Sequence, residues 1–170
     1  MADVQRRQLP LILMEATLEA QLASIRAAQQ EFDRQMELPA PADELVRLVT
    51  AAYQQLQGYD VPQAYLDVLA IANGIEWNSC QLYASRDRTF LTAAGSAKYA
   101  VRGLVEANEA WRAVDYNRGY VYYGESGLDL YRRNLGTNGF EICTQIGLTV
   151  VESFHTVDEL LARVFELMLE

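Results

Sequence analysis

Hydrophobic residues near the start of the chain recur at three- and four-residue steps: Leu11, Met14, Leu18, Leu22, Ile25, Phe32 and Met36. That is the helical period, and Glu15, Glu19, Arg26, Glu31 and Arg34 occupy the other side. The pattern predicts one long helix over 9–37, about 40 Å from end to end. Pro39-Ala-Pro41 ends it, because the residue before each proline is pushed out of helical geometry. A helix this long overhangs a small domain, lies along it, or pairs with a second copy. A second helix is expected over 43–57, with Leu45, Leu48, Val49, Ala52 and Leu56 as its buried stripe and Gly58 as its stop. Asp43 and Glu44 suit its positive N-terminal end. A third opens at Asp60, with Pro62 in the first turn and Gln63 placed for a capping box. Tyr65, Val68, Leu69 and Ala72 face inward, and Asn73-Gly74 closes the helix.

After Gly74 the period shortens. Ile75–Trp77 and Cys80–Ala84 read as strands around an Asn78-Ser79 turn, and residues 85–98 read as irregular. A short helix is expected at Leu104–Arg112. Strands then follow at 119–123, 128–133, 139–144 and 148–151, separated by the turn sequences GESG, NLGTNG and QIG. Phe140, Ile142 and Thr144 alternate with Glu141 and Cys143, which predicts one core face and one wetter face. Thr156-Val-Asp-Glu159 is a capping box, and Leu160, Leu161, Val164, Phe165 and Met168 form the apolar face of a last helix. The order of elements specifies an α+β fold: an antiparallel or mixed sheet packed by helices, with a long N-terminal helix and a C-terminal helix closing the sheet. Residues 1–38 are read as a helical extension and 39–170 as the α+β domain.

Charge narrows the partners. The chain has 170 residues and a formal net charge of −9. Such an excess opposes non-specific nucleic-acid binding, which draws its affinity from neutralised phosphates; it suits a basic protein partner or simply keeps the protein soluble. The excess is spread over the chain: twelve acids against eight bases in residues 1–98, eleven against six in 99–170. A folded acidic surface is therefore expected rather than an acidic tail. Arg6 and Arg7 precede an apolar run, but Glu15 and Glu19 interrupt the segment too early for export or for spanning a membrane. The expectation is a cytoplasmic protein, with Cys80 and Cys143 as reduced, buried thiols.

Signals for catalysis are thin. The single histidine, His155, has no cysteine or carboxylate at metal-ligand spacing, and no phosphate-binding loop or nucleophile elbow is present. No cofactor and no enzymatic activity are expected. One alternative pairs Glu125 with Asp129 as the acid and base of a small hydrolase. Both lie in VYYGESGLDLYRRN (121–134), which reads as a hairpin with glycines at both ends of its loop. Leu128 and Leu130 are expected on one face, Asp129 and Tyr131 on the other. Tyrosines and tryptophans beside carboxylates suit protein recognition: the rings give large rigid contacts and the carboxylates meet Lys or Arg. Glu76, Trp77, Asp115, Tyr116, Tyr122, Glu125, Asp129 and Tyr131 are therefore the candidate partner-binding residues.

Four segments, taken in order, resemble the SUKH superfamily and within it the YrhA-like bacterial proteins. They are LDVLAIANGIEWNSCQLY (66–83), GLVEANEAWR (103–112), YVYYGESGLDLYRRNLGTNGFEICTQ (120–145) and VVESFHTVDELLARVF (150–165). The matching positions are Asn73, Gly74, Leu82, Tyr83, Asn108, Trp111, Gly124, Phe154, Glu159, Leu160 and Leu161, and the likeness covers about residues 43–168. The long first helix lies outside its best part. The resemblance implies a helix-flanked sheet without a cofactor. It also implies an immunity protein that binds and blocks a cognate secreted toxin, often a nuclease with a basic cleft, by occlusion. A regulatory or scaffold protein that forms a homodimer through the first helix is the alternative.

Overall fold

The structure, a computed structural model, describes residues 2–91 and 98–170, with side chains described for 17–89 and 99–170. Six strands form one sheet in which every neighbouring pair is antiparallel: β1 (Ile75–Trp77), β2 (Cys80–Leu82), β5 (Tyr120–Ser126), β6 (Asp129–Asn134), β7 (Phe140–Thr144) and β8 (Val150–Phe154), in the order β1-β2-β5-β6-β7-β8. The connection from β2 to β5 holds a two-stranded ribbon, β3 (Arg88–Leu91) with β4 (Lys98–Val101), then helix α4 (Leu104–Trp111) and a 3₁₀ turn (Asp115–Gly119). The ribbon replaces part of the segment read as irregular; residues 92–97 of that segment lie outside the described residues. The fold is α+β, as expected. The capping box of α5 (Val157–Leu169) forms as read, with Thr156 Oγ accepting from the Glu159 amide at 3.3 Å and the Glu159 carboxylate accepting from the Thr156 amide at 3.1 Å.

Both faces of the central strands are covered. Tyr122, Arg132, Glu141 and Ser153 are successive cross-strand partners, so their side chains share one face. α4 lies on that face: Trp111 stacks on Tyr122 with centroids 5.4 Å apart. Asn108 of α4 then grips the Tyr122 backbone, donating to its carbonyl at 2.7 Å and accepting from its amide at 2.8 Å. This amide stands in for a strand that β5 lacks beyond the end of β2. On the opposite face Tyr123 meets the edge of Tyr65 from α3 (Gln63–Ile71) at 5.0 Å and the ring of Phe140 at 6.1 Å. Leu160, Leu161, Val164, Phe165 and Met168 of α5 complete the core on that side. Val121, Tyr122 and Tyr123 are consecutively buried for this reason, as are Leu130, Tyr131 and Arg132.

Three helix boundaries differ from the sequence reading. α1 (Ala2–Glu31) ends eight residues before Pro39. The chain turns at Asp33, whose φ is 55°, and the Arg34 amide closes the end on the Gln29 carbonyl at 2.9 Å. The following residues gain tertiary bonds that a continued helix would forfeit, among them the Ala40 amide to the Leu69 carbonyl at 2.9 Å. Of the predicted apolar stripe, the side chains of Leu11 and Met14 lie outside the described residues. Leu18, Leu22 and Ile25 are buried in the common core, and the Gln21 amide reaches the Ala162 carbonyl of α5 at 3.1 Å. α2 spans Ala42–Gln55. α3 starts at Gln63 without a side-chain cap; Gln63 donates to Asp67 at 2.8 Å instead of serving Asp60.

Gly124 is not a hairpin corner. It sits inside β5 at a bulge between Tyr122 and Gly124, where a Cβ would run into the Gln81 carbonyl and the Tyr131 ring. The loop is consequently only Gly127-Leu128. Asn78 and Ser79 both have positive φ (49° and 63°), the tight hairpin turn expected between β1 and β2.

Candidate protein-interaction surface

The register brings three hairpin tips to one end of the sheet. Cys80 pairs with Ser126 and Asp129 with Thr144, so the turns β1–β2, β5–β6 and β7–β8 lie side by side. Hydrogen bonds stiffen the tips. Ser126 Oγ accepts from the amides of Leu128 (3.2 Å) and Asp129 (2.9 Å). Gln145 ties two tips together, its amide to the Leu128 carbonyl at 2.7 Å and its side chain to the Ser126 carbonyl at 2.6 Å. Thr144 Oγ1 donates to the Ile146 carbonyl at 2.8 Å. On this braced end Leu128 is 78% exposed and Ile146 93%. Aliphatic side chains held out in water are the feature that association removes from solvent.

Aromatic and acidic groups flank them. Trp77, half-buried, meets Phe32 at 5.7 Å, and Phe32 is 70% exposed. The Arg34 guanidinium lies 4.3 Å from the Tyr99 ring and 5.6 Å from the Trp77 ring while it pairs with Glu76 at 2.5 Å. Glu125 is half-buried, 3.9 Å from Arg102. Asp129 is half-buried and has no ion-pair partner among the described residues. Behind Arg34, Glu37 is 3% exposed. Burial pushes its pKa up to about 7, against smaller downward pulls from a backbone amide, the Tyr99 hydroxyl and the Arg34 charge.

The candidate residues thus divide. Glu76, Trp77, Glu125 and Asp129 gather at the turn end. Asp115 and Tyr116 lie at the other end of β5, about 20 Å away at the rise of a strand. There Asp115 pairs with Arg118 at 3.3 Å and the Tyr116 ring packs on Tyr120 at 5.6 Å. Tyr122 and Tyr131 have no exposed surface and belong to the core. They were read as facing a partner on the assumption of one open sheet face, and α4 on one side and the helices on the other leave the central strands none.

The carboxylates of the hydrolase alternative do not converge. Glu125 is the cross-strand partner of Leu130, so it shares the face of Leu130, while Asp129, one residue earlier, points to the opposite face. Leu128 is not paired with Leu130 on a buried face; it stands on the turn. The exposure of Leu128, Ile146 and Phe32 differs from the sequence reading, which places Leu128 on a hairpin face beside Leu130 and Phe32 in the apolar stripe of the first helix and does not single out Ile146. For Leu128 and Ile146 the signal is a large apolar residue beside a turn glycine, Gly127-Leu128 and Ile146-Gly147, where turn chemistry favours polar residues.

Among the described residues no group of three His, Cys, Asp or Glu side chains gathers as a metal site, and no helix is long and apolar enough to cross a membrane. No protein-family model matches the chain, and no curated protein matches it.

Proposed function

We propose that the protein is a SUKH-type immunity protein, acting in the cytoplasm, that binds and blocks a basic toxin domain through the turn end of its sheet. The observation that carries this reading is the braced pair Leu128 and Ile146, exposed beside Trp77, Glu76, Glu125 and Asp129. Apolar anchors that desolvate on contact hold a complex, and a surrounding negative potential steers a positive partner toward it. The net charge of −9 supports the steering, and the four segments that resemble the superfamily support the class. The action is occlusion: the bound protein covers the basic cleft, and its own residues break no bonds. The resemblance suggests a nuclease as the partner, since phosphate-binding clefts are basic.

Co-expression tests it. A candidate is the variable C-terminal domain of a large secreted protein encoded beside this gene. Expression of the toxin domain alone is expected to kill, and the present chain to rescue growth. Rescue is expected to fail for Leu128→Asp combined with Ile146→Asp, with the folded protein still present at normal level. Growth restored equally by that variant would exclude the turn end.

A further inference from the structure

A second surface forms where three helices meet, away from the hairpin tips. Leu18 and Leu22 of α1 and Val68 of α3 floor a groove of about 280 Å³. Three carboxylates from three different elements line the same groove: Glu19 of α1, Asp67 of α3 and Asp158 in the first turn of α5. Glu19 and Asp67 are exposed and Asp158 is half-buried. None of the three pairs with a cation among the described residues. Among the described residues Asp67 accepts from the Gln63 amide, and Arg163, the cation of α5, is committed to Glu152, Glu166 and Glu170. An apolar floor thus lies under three carboxylates that no described cation pairs with.

We propose that this groove takes the arginine side chain of a basic protein partner. The aliphatic stem lies on Leu18, Leu22 and Val68, and the guanidinium sits among Glu19, Asp67 and Asp158. Arginine has the required two-part chemistry, an apolar stem with a charged head that stays near water. Its planar fork of five N–H donors meets carboxylates arriving from several directions, which a point-charged ammonium does less well. The volume, about 280 Å³, at the bottom of the roughly 300–1,000 Å³ range of small-molecule pockets, accommodates one long side chain. The groove has its own chemistry and does not depend on the partner being a toxin.

The test is ¹H–¹⁵N NMR of the full chain with N-acetyl-arginine amide as probe. N-acetyl-citrulline amide, the neutral isostere, is the control. Saturable shifts are expected in residues 18–22, 64–71 and 157–158, with none from the citrulline probe. Asp67→Asn combined with Asp158→Asn is expected to weaken apparent affinity about tenfold, the equivalent of ~1.4 kcal/mol. Glu19→Gln, a change at an exposed helical position, is expected to weaken it less and serves if the double variant does not fold. Equal shifts from both probes, shifts scattered over the surface, or unchanged affinity in the folded variants would overturn the proposal. That outcome leaves the co-expression result untouched, so the two readings fail separately.

Discussion

At one end of the six-stranded sheet Leu128 and Ile146 stand in solvent on hydrogen-bonded tips. At the other, Tyr116, Tyr120, Arg132 and Glu141 close on one another. The Arg132 guanidinium lies 3.7 Å from the Tyr120 ring and pairs with Glu141 at 2.9 Å, and Arg132 is 1% exposed. Both ends carry aromatic rings, a carboxylate and an arginine. The difference is in how the charged and apolar groups are used. The closed end spends Arg132, Glu141, Asp115 and Arg118 on one another and stacks its rings, although Val114 (60%) and Tyr116 (57%) stay exposed there. The turn end is rigid yet leaves apolar area uncovered, which makes it available to a partner.

The largest expected effect lies at the closed end. Glu141→Ala strands the buried Arg132 charge, and losing one partner of a buried pair costs about 3–5 kcal/mol. For a chain of this size the thermal midpoint falls by about 10 °C. Thermal unfolding followed by circular dichroism checks this; a drop of a degree or two would mean that the end is not closed by that pair.

Next comes Glu37, behind the turn end. Its carboxyl is raised from 4.5 to about 7, so the folded state holds the proton more tightly than the unfolded chain. The penalty for ionising it is absent below about pH 4.5, grows as pH rises toward 7 and is constant above. Glu37→Gln should therefore stabilise the protein at pH 8 by about 3 kcal/mol, from ~1.36 kcal/mol per pH unit between 4.5 and 7, and leave it unchanged near pH 4. Denaturant melts at the two pH values measure this, and equal gains at both would refute the linkage.

Smaller still is the effect expected at the tips. Leu128→Ser with Ile146→Ser should leave folding stability within about 0.5 kcal/mol, as exposed positions do. Partner affinity should fall by about 2 kcal/mol, roughly 30-fold, in a calorimetric titration. The least is steering: Asp129→Lys should slow association several-fold at low salt, and Asp115→Lys at the closed end should slow it less. Stopped-flow rates at two ionic strengths separate them, and identical slowing by both would erase the distinction between the ends.

Short-range chemistry was legible in the sequence. The Thr156–Glu159 box and the Asn78-Ser79 turn involve neighbours within four residues, and each forms as read. The apolar face of α5 followed from its period and is buried as expected. What failed depends on distant parts of the chain. Tyr122 looks like a surface tyrosine until Asn108 and Trp111 bring α4 onto its face. Gly124 looks like a loop glycine until Gln81 approaches from β2. Periodicity continued α1 through Met36, but Arg34 found Glu76 across 42 residues and the helix yielded. Of the candidate residues, Glu76, Trp77, Glu125 and Asp129, chosen by residue type, come together at the turn end; the exposed Leu128 and Ile146 between them were not legible, because exposure at a turn is set by register.

The most direct test is a paired titration of the partner domain against two variants of equal size of change. One carries Leu128→Asp and Ile146→Asp at the turn end; the other carries Val114→Asp and Tyr116→Asp at the closed end, where Val114 precedes the 3₁₀ turn and the two are 60% and 57% exposed. Loss of binding by the first, with the second binding as the native chain does, is the predicted result. Binding retained by the first and lost by the second would contradict the account.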